Sequence, residues 1–150
     1  MSPGQPIAVR SGPWTADAIA TFLDASVIPI RLATSGMHFP LVQSLWFLHE
    51  ANALWCCTQA ESVLALRLRA EGPCGFEVSG DDPPYRGVRG TGYATLDESS
   101  AATMLPRLIA RYVGTGQSPL ADWLLSRIES EVAVRIDGLT VTSWDYSARM

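Results

Sequence analysis

Ile28, Ile30 and Leu32 alternate with Pro29, Arg31 and Ala33. That period of two predicts a strand over residues 27–34, and Pro29 is tolerable near its start. Ser35-Gly-Met-His-Phe39 then turns the chain. Residues 40–48 form a second strand, antiparallel to the first, in which Gln43 and Ser44 are the only polar side chains before the end. A strand apolar on nearly both faces suits a barrel wall that also meets a partner or a ligand. Glu50-Ala-Asn52 turns again into a third strand over 54–58.

Helical spacing appears twice in this first half. Thr15 can cap a helix reaching about residue 25, with Ile19, Phe22 and Leu23 on one face. Ser62 opens a second helix over 62–70, and Gly72-Pro73 follows its end. Further on come a strand at 74–79, a turn at Asp81-Asp-Pro-Pro84 and a long strand at 85–96, whose glycines allow the bending that barrel corners require. Helices follow at 99–112, with Pro106 expected to break or kink the first of them, and at 120–129. Residues 132–136 and 139–144 are expected to pair as a hairpin across Asp137-Gly138. The first 13 residues hold three prolines and two glycines, and read as a loose arm. Mostly hairpin-connected strands with inserted helices predict an α+β fold: a small barrel of about six to seven antiparallel strands with flanking helices.

Composition narrows the function classes. A chain of 150 residues without repeats or a linker reads as one domain, 1–150. At that length roughly 70% of the extended-chain surface is buried on folding, enough for a core without metals or disulfides. No apolar run approaches the roughly 20 residues of a bilayer span. Met1-Ser-Pro-Gly-Gln-Pro-Ile7 lacks the charged and apolar regions of a signal peptide, so the expected location is cytoplasmic. A net charge of −4 argues against nucleic acid as a partner. There is no lysine, because all eleven cations are arginine. A Gly-Lys-Ser phosphate loop and a pyridoxal phosphate Schiff base are therefore both impossible. Cys56, Cys57 and Cys74 form no Cys-x-x-Cys pair and read as buried reduced thiols rather than zinc ligands. His38 and His49 have no evident catalytic partner, and no catalytic residue is nominated.

The ordered set Arg31-Leu-Ala-Thr34, Pro40, Leu45-Trp-Phe47, Leu54-Trp55, Thr58, Ser62, Pro83-Pro-Tyr-Arg-Gly-Val88, Gly92 and Ser143-Trp-Asp145 resembles the pyridoxamine 5′-phosphate oxidase-like proteins, the FMN-binding split-barrel group. The likeness covers roughly residues 20–146. It implies a split barrel and a homodimer with FMN at the interface. It places Gln43, Ser44, Leu45 and Trp46 along the isoalloxazine ring. Cys57, Thr58 and Ser62 would hold the phosphate, with Val63 at the start of the helix that follows.

The chain departs from the family at one point. Where many members carry Arg-Lys after the helix-opening serine, it has Val63-Leu64. Losing two charge-assisted hydrogen bonds costs about 3–6 kcal/mol, or roughly two to four decades in affinity. Glu61 adds repulsion. Arg67 shares a helix face with Val63 and Leu64 and is expected to reach back as a partial substitute, beside the helix N-terminus itself. Most of these residues also have a plain structural reading: Trp46 as core, Thr58 and Ser62 as strand end and cap, and Gln43 bonded to backbone. Arg31 could face a phosphate or an interfacial carboxylate, and Trp144 ordinary barrel packing. The short chain, whose carboxyl end keeps only Arg149, does not look like an authentic pyridoxamine phosphate oxidase. The resemblance thus points to an FMN-dependent oxidoreductase with an unidentified small-molecule substrate. The alternatives are an F420-dependent reductase, a haem binder, and a non-catalytic dimeric binding or stress protein with a degenerate pocket.

Overall fold

The computed structural model describes residues 3–150. In chain order the elements are β1 (Ala8–Ser11), α1 (Ala16–Ala25), β2 (Ile30–Thr34), β3 (Leu41–Leu45), β4 (Leu48–Glu50), β5 (Ala53–Gln59), α2 (Val63–Ala70), β6 (Pro73–Ser79), β7 (Arg86–Asp97), α3 (Ala101–Tyr112), α4 (Pro119–Leu125) and β8 (Glu131–Asp145). The antiparallel sheet runs β3-β2-β6-β7-β8-β5-β4, and β1 joins β8 in parallel.

That order forces a barrel. β3 and β4 are the two edges of the sheet, yet only Trp46 and Phe47 separate them in sequence. At no more than about 3.6 Å per residue, the edges therefore lie within roughly 11 Å of each other. The sheet must curl until they meet, and no ladder joins β3 to β4. This is a split barrel, as the resemblance implies. Its interior is filled by Ile30, Leu32, Leu54, Val88, Val134 and Ile136, closed off by Ile19 and Leu23 of α1 and Leu64 of α2. Thr15 and Ser62 cap α1 and α2, accepting from Ala18 N–H and Ala65 N–H at 3.1 Å each. A second apolar layer lies outside the barrel, where Met104 and Leu108 of α3 cover Trp55 and Ala133. So β5 is the strand covered on both faces, whereas Val42 on β3 is 67% exposed and that strand is an open edge.

Four expectations are corrected. The first 13 residues are not a loose arm throughout: β1 pairs with β8, and Trp14 donates its backbone N–H to Ser143 Oγ at 3.0 Å and its indole N–H to Asp145 at 3.2 Å. Gly12, at φ +98°, passes so close to Ser143 that an added Cβ would stand 2.0 Å from its carbonyl oxygen. Second, residues 132–136 and 139–144 are not a hairpin but one strand, β8, paired along its length with β7. Each half has its own outer neighbour, β5 for the first and β1 for the second, so the halves stay collinear. Gly138, at φ +62°, marks a bulge between Thr91 and Tyr93 that adds one residue to β8. The core-facing residues accordingly change parity, from Val134 and Ile136 to Leu139 and Val141. Third, Pro106 does not break α3. Its missing N–H leaves the carbonyl of Ala102 on an exposed face, where water can satisfy it. Fourth, the predicted helix over 120–129 is the shorter α4 followed by a turn of 3-10 helix at Ile128–Ser130.

Candidate functional site

The two edges that meet at the split leave a groove between β3 and the end of β5, lined by α3 and α4, with a volume of about 480 Å³. That is within the range of small-molecule sites. Ser44, Leu45 and Trp46 line one wall, and Cys57, Thr58 and Gln59 the other. Leu105 and Leu108 of α3, with Leu120 and Leu124 of α4, make the rest apolar, and Glu131 closes one end.

Five of the nine residues singled out for the cofactor meet here: Ser44, Leu45, Trp46, Cys57 and Thr58. Ser62 stands just behind them. Its hydroxyl and that of Thr58 share a 3.0 Å hydrogen bond, while the Ser62 oxygen also accepts from Ala65 N–H. The other three stand elsewhere. Gln43 is half-buried on the face of β3 that carries Leu41 and Leu45 toward the core. Val63 is 60% exposed and lines a separate depression with Met37 and Leu66. Arg67 donates from Nη1 to the carbonyl of Phe39 at 2.9 Å, its guanidinium resting on Gly36 in the turn between β2 and β3.

Trp46 owes its position to α3. It stacks on Tyr112 with ring centroids 5.2 Å apart and planes 7° from parallel. The Tyr112 hydroxyl accepts from Phe47 N–H at 3.2 Å and donates to the Ile28 carbonyl at 2.9 Å. One side chain thereby ties together the β3–β4 step and the approach to β2. Burial raises the Tyr112 pKa, so the phenol keeps the proton that it donates. Cys57 is pushed up to about 12, by burial first and the Glu131 carboxylate second, so the groove presents a thiol and no thiolate nucleophile.

The groove lining is mostly apolar, and its volume admits a small conjugated ring. It does not suit a phosphate held by cations of this chain: its only charged lining residue is Glu131, hydrogen-bonded by the Gln59 side chain. The cations nearest in sequence are committed to backbone, Arg67 to Phe39 and Arg69 to the Ala60 carbonyl at 2.6 Å. A lysine at position 64 would not repair this, because Leu64 is fully buried in the barrel core. Among the described residues no group of three or more His, Cys, Asp or Glu is placed to hold a metal, and no helix is long and apolar enough to cross a membrane. The sequence reading expects both helices but not their place beside the groove. The trace of that place in the sequence is the doubled apolar pairs Met104-Leu105 and Leu108-Ile109, which serve the sheet with one member and α4 with the other.

By sequence, no family model and no curated protein matches the chain. Solved structures do. A conserved hypothetical protein from Mycobacterium tuberculosis matches over 100% of this chain and 94% of its own, with TM-score 0.77 and 23% identity. An F420 reductase matches over 77% and 89%, with TM-score 0.63 and 20% identity. A FAD-binding protein from Mesorhizobium loti matches over 87% and 93%, with TM-score 0.63 and 19% identity. At these identities what is shared is the fold, the split barrel of the pyridoxamine 5′-phosphate oxidase-like proteins.

Proposed function

We propose that this protein binds a flavin-type cofactor by its ring system in the groove at the barrel split, and that it works as a homodimeric flavin-dependent oxidoreductase. The observation that carries the reading is the convergence of Ser44, Leu45, Trp46, Cys57 and Thr58 on one apolar groove. Neighbours of the same fold that bind FAD or act as an F420 reductase support it. A bound flavin supplies the redox chemistry. The chain contributes position and surroundings: Leu105 and Leu108 supply a buried apolar wall, and the hydroxyls of Ser44 and Thr58 offer hydrogen bonds to a polar edge. FMN is the first candidate. F420 is the second, favoured by the absence of a cation from the lining: a cofactor whose tail extends differently does not need one at Thr58. Glu131, the one charge present, disfavours an anion at that end.

The test is a visible absorption spectrum of the purified protein before and after adding FMN or F420, with gel filtration for co-migration and light scattering for mass. Flavin or deazaflavin bands co-migrating with a dimer support the reading. A colourless protein that retains neither cofactor contradicts it and points to a binding role without redox chemistry.

A further inference from the structure

The outer face of the sheet carries a second groove, of about 430 Å³, on the other side of β3. Its charge is opposite to that of the first. Arg10 from β1, Arg31 from β2 and Arg89 from β7 line it, with Glu77 from β6 as the only acid. In register, Glu77 stands between Arg31 and Arg89. Yet among the described residues none of these three arginines makes an ion pair: Glu77 accepts only from Ser79 Oγ at 3.1 Å, and Arg31 merely reaches the Ser79 carbonyl at 3.5 Å. Three guanidiniums against one carboxylate leave two positive charges facing an open groove. Gathering unpaired like charges opposes folding, so an anionic occupant would relieve the arrangement.

The floor specifies the rest of the ligand. Ala33, Gly75 and Thr91 form one cross-strand row of small side chains. Glycine at 90 is required by packing, since an added Cβ would meet the Thr140 carbonyl at 2.6 Å and the Phe76 ring at 2.7 Å. Glycine at 75 is not required: its added Cβ would meet nothing nearer than 3.8 Å. The space above Gly75 is therefore part of the groove. Guanidinium forks match phosphate oxygens in bidentate fashion, and a phosphate monoester near neutral pH carries about the two charges required.

We propose that the Arg10–Arg31–Arg89 groove binds a ligand bearing a phosphate monoester, its organic part lying over Gly75, at a site separate from the groove at the split. The proposal stands independently of the flavin reading, because none of these residues lines the split groove.

The test is calorimetric titration of the full chain with phenyl phosphate and, as the uncharged control, phenol. Two variants are needed: the double variant Arg10→Gln/Arg89→Gln, and Gly75→Val, which fills the floor with a β-branched residue suited to a strand. The expected result is saturable binding of phenyl phosphate alone, weakened at least about tenfold in the double variant and lost in Gly75→Val. Circular dichroism should show the fold of both variants unchanged, and flavin affinity should be unaltered. No binding of phenyl phosphate to the parent chain overturns the proposal, as does binding that both variants retain. A double variant that loses its dimer while the parent ignores phenyl phosphate assigns the arginines to a subunit interface, and overturns it equally.

Discussion

The grooves on either side of β3 differ in what their walls can recognise. The one at the split is apolar, lined by two helices and closed at one end by an acid; the one on the outer face is floored by small residues and framed by arginines. β3 contributes Ser44 to the first and Val42 to the second, two residues of one strand face. The lesson is that this barrel keeps its helix-lined apolar groove and its cluster of arginines apart. The phosphate-gripping pair that the family resemblance places after Ser62 is absent, while unpaired cations stand on the outer face instead.

The largest expected effect removes part of the helical lining. Leu108 is 1% exposed and packs beneath the groove against Trp55. Leu108→Ala should destabilise by about 2–5 kcal/mol through lost burial and a cavity, read as a lower midpoint in chemical denaturation, and should weaken flavin while sparing phenyl phosphate. Next, Val63→Arg blurs the contrast by restoring one cation. Val63 is exposed, so the substitution fits, and FMN affinity should rise by about 1.5–3 kcal/mol, or one to two decades. Riboflavin, which has no phosphate, should not respond, and flavin fluorescence quenching reads both. Gly12→Ala acts on the other groove. A Cβ there meets Ser143 and the backbone is left-handed, so a cost of about 1–3 kcal/mol is expected, with β1 loosened and Arg10 displaced. Hydrogen exchange of residues 7–11 should quicken, and phenyl phosphate should weaken before flavin does.

The smallest effect concerns how α3 is held. Asp97 Oδ1 accepts the backbone N–H groups of Ser99 at 3.0 Å and Ser100 at 3.1 Å. Hydrogen bonds from the Ser100 and Ser99 hydroxyls hold its pKa below the usual value. A depressed folded pKa means a contribution that is complete above the unfolded value, about 3.9, and lost as pH falls through the folded value. Asp97→Asn should lower stability at neutral pH by about 1 kcal/mol, as for a lost cap. The difference from the parent should shrink as pH drops below about 4.

Much of the split-groove side could be read from the sequence. The alternation at Ile30–Thr34, the caps Thr15 and Ser62 and the opposed faces of Cys56 and Cys57 are local signals, and the structure follows them. What was not legible depends on distant partners. β1 is four exposed residues whose strand conformation exists only because β8 lies beside it. Gly138 supplies the positive φ of a turn, and only the pairing with β7 decides that it makes a bulge. Arg67 has the right helical face to reach toward Val63, but the carbonyl of Phe39 in the β2–β3 turn takes it. The arginine groove joins residues 10, 31 and 89 from three strands, a juxtaposition that no sequence spacing displays.

The central claim is that the split groove recognises a flavin ring and not its phosphate, and titrating the protein with FMN and with riboflavin by fluorescence quenching tests it most directly. The account predicts that both bind, with dissociation constants within about threefold of each other, a difference under 1 kcal/mol. FMN bound a hundredfold more tightly than riboflavin would reveal a phosphate clamp that this groove does not contain, and failure of both to bind would remove the flavin from the account.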